Sequence, residues 1–287
     1  MDTVLVLLDR LLADFNIDRT RIYIEGAGMG AEGAFRIAQL RPTTFASVLV
    51  RDGLPPHYHT GIPFSDAAKV EELRKAGTLG EQPLAFPRLC NLRCTPVHWL
   101  HADQDTSTPT AHARQARDAL KALGGEVVFT EYAGRHASAL VPDFARFLAA
   151  GLVAVKPATR PATAVQGSRE SDTWAGSQRC GWLQIVKQEL KGAQTDWPEL
   201  RQAGGTVQAV CERETNTLRV TAEGVSEVRI HLDDSLLYLD QPVKLVVNGK
   251  DRGTIAPVRR LDTIGESAVR YAHSNEAWSA AVTVEIR

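Results

Sequence analysis

The spacing of apolar residues changes near residue 155. Before that point, short apolar runs at 21–25, 46–50, 97–101 and 127–132 alternate with amphipathic segments at 31–40, 66–76, 110–123 and 141–154. Runs of five or six apolar residues indicate buried strands, and the longer segments indicate helices. Strands that alternate with helices predict a parallel sheet with helices on both faces. An opening helix carries Val4, Leu8, Leu11, Leu12 and Phe15 on one face, so we expect this face to lie against a sheet.

The second half of the chain has a different pattern. Residues 156–172 are rich in Pro, Ala, Thr and Ser, which is typical of a linker. Short alternating runs follow at 182–186, 207–211, 217–221, 225–232, 243–247, 268–271 and 281–286, and Asn248-Gly249 is a hairpin-type turn. We therefore predict an α/β domain at 1–155, a linker at 156–172 and an antiparallel, β-sandwich-like domain at 173–287.

Composition excludes several classes of function. The chain has 287 residues, 33 basic and 34 acidic, a formal net charge of −1 and no basic cluster, so we expect neither nucleic acid nor a membrane as a partner. No apolar run is long enough to span a bilayer. The first residues carry Asp2, Asp9 and Asp14 and no basic start, which argues against a signal peptide and leaves the compartment open.

One short motif carries most of the functional information. The predicted strand at 21–25 runs into Gly26-Ala27-Gly28-Met29-Gly30 and then directly into a helix. Strand, G-x-S-x-G and helix form the nucleophile elbow of α/β-hydrolases, in which a strained turn presents the serine above the sheet. Both outer glycines are present, but Gly28 stands at the nucleophile position.

The region 15–52 resembles the nucleophile region of prolyl-oligopeptidase-like and feruloyl-esterase-like serine hydrolases. The segment 95–109 resembles the family's acid loop and implies Asp105 as the triad acid, with Asp103 as an alternative. The segment 132–138 resembles the histidine loop and implies His136. The order 28, 105, 136 is the α/β-hydrolase order of nucleophile, acid and base. A solvated loop acid and a surface imidazole are the alternative interpretation of Asp105 and His136.

The resemblance implies an ancestral peptidase or esterase, and Gly28 implies that its catalysis is impaired. Glycine cannot form an acyl-enzyme, so we predict an inactive member or fragment of the family. The backbone N–H of Met29 is the candidate oxyanion donor, and the family's second donor is expected to lie outside this chain. A small-ester or peptide-binding module, or a hydrolase whose missing parts come from elsewhere, are the alternatives.

Three further expectations concern partners, metals and thiols. The strand at 22–25 is expected to leave an open sheet edge that pairs with another strand. No motif implies a cofactor: His57-Tyr58-His59 has metal-ligand spacing, but the sequence offers no third ligand, which favours an ordinary loop. The four cysteines, Cys90, Cys94, Cys180 and Cys211, are expected to be free thiols.

Overall fold

The computed structural model describes residues 2–59, 61–62, 66–86, 88–136, 144–156, 162–167, 180–188, 205–270 and 277–286. They divide into two compact units. One unit contains the described residues of 21–156, and the other contains those of 2–20, 157–191 and 203–287. The opening residues 2–20 are thus grouped with the second unit, whereas the sequence analysis assigns them to the first domain.

Helices and strands alternate in the first unit. In chain order, following α1 (Asp2–Asp14), its elements are β1 (Tyr23–Ala27), α2 (Met29–Leu40), β2 (Ser47–Arg51), β3 (Tyr58–His59), α3 (Ala67–Ala76), β4 (Leu84–Ala85), β5 (Val97–Ala102), α4 (Thr110–Ala122), β6 (Val127–Tyr132) and α5 (Phe144–Gly151). The predicted elements agree with these within a few residues at their ends. Residues 141–143 of the last predicted helix lie outside the described part of the chain.

A four-stranded parallel sheet forms the centre of the first unit. Its order is β1-β2-β5-β6, and every neighbouring pair is parallel. All side chains of β5 are buried, and Trp99 packs edge-on against Phe35 of α2 at 5.0 Å between ring centroids. The central strands β2 and β5 are buried because helices cover them, as the alternating pattern predicts.

The opening helix forms, but its apolar face does not become buried as expected. Leu12 is buried and Leu8 is half-buried, whereas Val4, Leu11 and Phe15 are exposed. The amphipathic spacing therefore predicts the helix correctly and the burial of these three side chains wrongly.

The second unit consists mainly of strands. Its further elements are β7 (Thr163–Gly167), β8 (Leu183–Gln188), β9 (Thr206–Glu212), β10 (Thr217–Glu223), β11 (Val225–Leu232), β12 (Val243–Val247), β13 (Lys250–Ile255), α6 (Leu261–Arg270) and β14 (Ala280–Glu285). They form a five-stranded sheet, β13-β12-β10-β9-β7, and a three-stranded sheet, β14-β11-β8. Buried apolar side chains of both sheets belong to one core.

Three features of the second unit differ from the expectation. The larger sheet is mixed, because β10 and β12 are parallel: β11 belongs to the other sheet, so the chain returns alongside β10 in the same direction. The run at 268–271 was predicted as a strand, but residues 268–270 end helix α6. Strand β7 lies inside the segment predicted as a linker and pairs with β9.

The hairpin turn is confirmed. Asn248 and Gly249 have φ of 49° and 77° and connect the antiparallel strands β12 and β13. Two successive positive φ values are the signature of the type I′ turn that Asn-Gly favours. Among the helices that the structure describes, none has the length and apolar character needed to cross a membrane.

Candidate active site

A sharp turn joins β1 to α2 and is built from glycine. Gly28 has φ 56° and ψ −120° and caps the N-terminus of α2, while its N–H donates to the carbonyl of Arg51 at 2.9 Å. A Cβ at Gly26 would lie 2.1 Å from the carbonyl oxygen of Gly30, so only glycine fits there. Positive φ and the close approach of two backbone segments explain two of the three motif glycines.

The predicted nucleophile position faces the predicted base. A Cβ built on Gly28 would lie 3.3 Å from Nε2 of His136 and 3.8 Å from its Cε1. On its other side, Nδ1 of His136 lies 2.7 Å from Oδ2 of Asp105. The structure thus brings together the three positions that the sequence analysis selects, in the order acid, imidazole and residue 28.

Asp105 is buried and held by its own loop. Its Oδ1 accepts the backbone N–H groups of Ser107 and Thr108, both at 2.8 Å, and Oδ2 accepts the Thr108 hydroxyl at 2.6 Å. Asp103, the alternative acid, is exposed and accepts the N–H of Gly134 at 3.0 Å instead.

A second buried carboxylate, that of Asp52, links the strand ends near Asp105 through hydrogen bonds. Asp52 follows β2 directly, with Oδ1 accepting the N–H of Ala102 at 2.9 Å and Oδ2 accepting the Tyr132 hydroxyl at 2.5 Å. Burial and the neighbouring Asp52 carboxylate raise the pKa of Tyr132, so the phenol stays a donor. These bonds tie the ends of β2, β5 and β6 together.

His101 holds the acid loop from the end of β5. It is fully buried, and its Nε2 lies 2.8 Å from the carbonyl oxygen of Thr108 and 3.6 Å from Oδ2 of Asp105. Burial lowers the pKa of His101, so the neutral ring donates its Nε2–H to Thr108. The sequence analysis places this residue on a buried strand with a structural role, and the contact to Thr108 defines that role.

The same buried groups form a donor set that a metal ion would also use. Ligand atoms of Asp52, His101 and Asp105 lie within 4.8 Å of one another. Every carboxylate oxygen of the two acids already accepts at least one hydrogen bond. We therefore interpret the group as a satisfied polar network around the triad acid.

Met29 places a backbone donor beside Gly28. It is the first residue of α2, so its N–H has no acceptor within the helix, and its side chain is 92% exposed. A backbone N–H at a helix N-terminus beside the nucleophile position has the arrangement of an oxyanion donor. This N–H is the candidate donor that the sequence analysis names.

Comparison of the sequence finds no similar curated protein, whereas comparison of the structure finds similar solved structures. The sequence matches no protein-family model and no curated protein. Similar solved structures include a thermostable esterase (27% identity, 46% of this chain, 27% of that chain, TM-score 0.33), Arabidopsis thaliana SOBER1 (18%, 53%, 60%, 0.38) and Zea mays acyl-protein thioesterase 2 (20%, 53%, 64%, 0.33). The chain spans less than two thirds of each of them. These TM-scores are too low to assign a function to the chain.

Sequence reasoning misses two residues of the site, Asp52 and Thr108. A signal for Asp52 exists, because it follows a buried parallel strand directly and the carboxyl ends of such strands meet at one edge of the sheet. Thr108 carries no such signal, since a hydroxyl in a polar loop is common.

Proposed function

We propose that this chain is a catalytically impaired relative of serine esterases and peptidases of the α/β-hydrolase type, with Gly28 in the place of the nucleophile. The observation that carries the proposal is the 3.3 Å between a Cβ at position 28 and Nε2 of His136. A serine Oγ is bonded to that Cβ, so a side-chain rotamer turned toward the ring brings its hydroxyl within hydrogen-bond reach of Nε2. The site is thus arranged for a side chain that Gly28 does not supply.

The remaining groups define what the site does chemically. Asp105 accepts a hydrogen bond from Nδ1–H of His136 and so holds the tautomer that leaves the Nε2 lone pair facing residue 28. In an active relative, this lone pair takes the hydroxyl proton as the oxygen attacks an acyl carbon. With glycine, no oxygen is present to attack, so we expect no acyl-enzyme and no ordinary ester hydrolysis.

Restoring the hydroxyl tests this proposal. Gly28→Ser is compared with Gly28→Ala, which adds the same Cβ and the same positive-φ strain of about 1–3 kcal/mol but no hydroxyl. We expect p-nitrophenyl acetate turnover from the Ser variant alone. If both variants are folded and equally silent, the hydroxyl is not the only missing part, and the proposal gives way to a binding module, which saturable ligand binding without turnover would identify.

For the second unit we propose only a structural role. Two sheets that contribute to one apolar core support a β-sandwich-like scaffold.

The open edge of β1 supports pairing with another strand. Among the described residues, β1 pairs only with β2, which leaves its other side available for backbone hydrogen bonds. We expect the isolated chain to self-associate through 23–27. A monomer by light scattering whose amides at 23–27 are protected from hydrogen exchange would contradict this part of the proposal.

A further inference from the structure

Gly28 leaves open space directly beside the base of the site. The position that a Cβ would take on Gly28 lies 3.3 Å from Nε2 and 3.8 Å from Cε1 of His136. Apart from the chain neighbours of Gly28, these two ring atoms are the only heavy atoms of the described residues within 4 Å of that position. A larger residue at position 28 would fill this space with its side chain, and glycine leaves it to solvent.

This space is accessible from outside the protein. The side chain of His136 is 29% exposed, Gly28 is half-buried, and Met29, which follows it, is 92% exposed. A water molecule therefore reaches Nε2 of His136 from the bulk solvent. Because a water molecule is about as large as a serine hydroxyl group, it fits where the hydroxyl of a serine at position 28 would lie.

The contacts of His136 prepare its Nε2 to act as a base. Nδ1 lies 2.7 Å from Oδ2 of Asp105 and 3.3 Å from the Thr108 hydroxyl, and within the described part of the chain the hydrogen bonds of the ring are all at Nδ1. A neutral imidazole that donates its Nδ1–H has its lone pair on Nε2. The carboxylate of Asp105 also stabilises the imidazolium that forms when Nε2 takes a proton.

The orientation of this pair does not depend on a side chain at position 28. Asp105 is held by the backbone N–H groups of Ser107 and Thr108, both at 2.8 Å, and by the Thr108 hydroxyl at 2.6 Å. All of these bonds lie within the loop that carries the acid. The carboxylate and the imidazole therefore keep the geometry of an acid–base pair although Gly28 supplies no hydroxyl.

We propose that the Asp105–His136 pair activates a water molecule in the space beside Gly28, so that the unmodified chain slowly hydrolyses activated esters, such as phenyl esters of short acids, in a single step. The inference rests on the proposed function, because it uses the same acid, base and oxyanion donor. The nucleophile is different: water takes the place of the missing hydroxyl, and no acyl-enzyme forms. Met29 is the one oxyanion donor identified in the site, and the loss of a second donor typically costs about 10²–10³ in rate, which restricts the inference to esters with a good leaving group.

The reaction needs only the ester and water. Nε2 of His136 removes a proton from the water as the water oxygen bonds to the acyl carbon, and the carbonyl electron pair moves to the carbonyl oxygen. That oxyanion accepts the N–H of Met29 at the N-terminus of α2. When the C=O bond re-forms, the bond to the phenol oxygen breaks, and the leaving oxygen takes the proton from the imidazolium. The products are a carboxylic acid and a phenol, and His136 is neutral again.

Hydrolysis of p-nitrophenyl acetate by the unmodified chain, compared with Gly28→Ala, tests the water step. The alanine methyl group fills the space that the water needs, while every imidazole, amine and thiol of the chain is kept, so that reactions at the surface are the same in both proteins. We expect the unmodified chain to be about 10²-fold faster, as a general base typically contributes. Equal rates for the unmodified chain and a folded Gly28→Ala chain would overturn the proposal.

A second variant avoids the strain of a side chain at positive φ. His136→Ala keeps Gly28 and is expected to lose turnover to the same extent, whereas His98→Ala removes a buried histidine of β5 outside the site and is expected to leave turnover unchanged. The rate of the unmodified chain is expected to fall in D₂O, because a proton moves as the water attacks. Turnover that survives His136→Ala, or a rate that is the same in D₂O, would also overturn the proposal.

Fluorophosphonate labelling of Gly28→Ser separates this inference from the proposed function. A labelled Ser variant, together with an unmodified chain no faster than Gly28→Ala, would overturn the water step and leave the proposed function in place. A folded Ser variant that stays unlabelled, together with turnover by the unmodified chain that requires His136, would support the water step and contradict the proposed function.

Discussion

The two units bury very different side chains. The parallel-sheet unit buries Asp52, His101 and Asp105 together at the carboxyl ends of its strands. The core of the second unit is formed by apolar side chains of two sheets, and its ion pairs, such as Arg259 with Asp234, lie at the surface. Burying a charge costs free energy unless it is fully hydrogen-bonded. Buried ionisable groups therefore gather at the strand ends of the first unit, whereas the core of the second unit is apolar.

The largest effect is expected from the acid that orients His136. In a Gly28→Ser background, Asp105→Asn is expected to lower ester turnover by about 10⁴-fold, because the amide no longer stabilises the required tautomer. Steady-state kinetics with p-nitrophenyl acetate measure this loss. Asp103→Asn is the matched control and is expected to change turnover less than 10-fold, since the Asp103 side chain accepts the N–H of Gly134 and does not contact His136 in the described hydrogen bonds. Equal losses of turnover in the two variants would contradict the assignment of Asp105, rather than Asp103, as the acid that orients His136.

Truncation of a core side chain tests the interpretation that the apolar core of the second unit contributes stability and no chemistry. Ile230 of β11 is completely buried, and Ile230→Ala is expected to destabilise the second unit by about 2–5 kcal/mol through lost burial and a cavity. Urea unfolding measures the change. In the Gly28→Ser background, the folded variant is expected to keep its turnover. Loss of turnover without unfolding would show that the second unit contributes to the site.

A smaller effect is expected from the phenol that binds Asp52. Tyr132→Phe removes a hydrogen bond to a buried carboxylate and is expected to cost about 1.5–3 kcal/mol of unfolding free energy. Tyr23→Phe is the control, because the Tyr23 hydroxyl donates to the neutral carbonyl of Ala154 at 2.7 Å and its loss is expected to cost about 0.5–1.5 kcal/mol. Equal losses of unfolding free energy in the two variants would contradict the claim that a hydrogen bond to the buried Asp52 carboxylate stabilises more than one to a neutral carbonyl.

Elements with a clear run or regular spacing of apolar residues were predictable from the sequence. Elements whose buried residues are small or polar were not. Strands β2, β5 and β6 are runs of apolar residues and were predicted closely. Helix α6 buries Thr263 and Ser267, and the Ser267 hydroxyl accepts the N–H of Trp278 at 2.9 Å. The apolar Leu261 and Ile264 of this helix are exposed while these polar residues are buried, so the apolar pattern does not indicate the buried face.

The candidate site was partly predictable for a similar reason. The glycine spacing at 26–30 reflects a local steric demand, because a Cβ at Gly26 would collide with the backbone of Gly30. The contacts of Asp52 with Tyr132 and with Thr108 join residues far apart in the chain. No local pattern encodes such contacts, so they appear only when the strands and helices have packed.

The reaction of the Gly28→Ser variant with a fluorophosphonate tests the central claim most directly. This reaction requires an activated hydroxyl and, unlike turnover, no deacylation. Intact-mass spectrometry is expected to show one adduct per chain, located on Ser at position 28, and none on the Gly28→Ala variant or after His136→Ala is added. A folded Gly28→Ser chain that stays unlabelled would contradict the claim that only a nucleophile is missing from the Asp105–His136 pair.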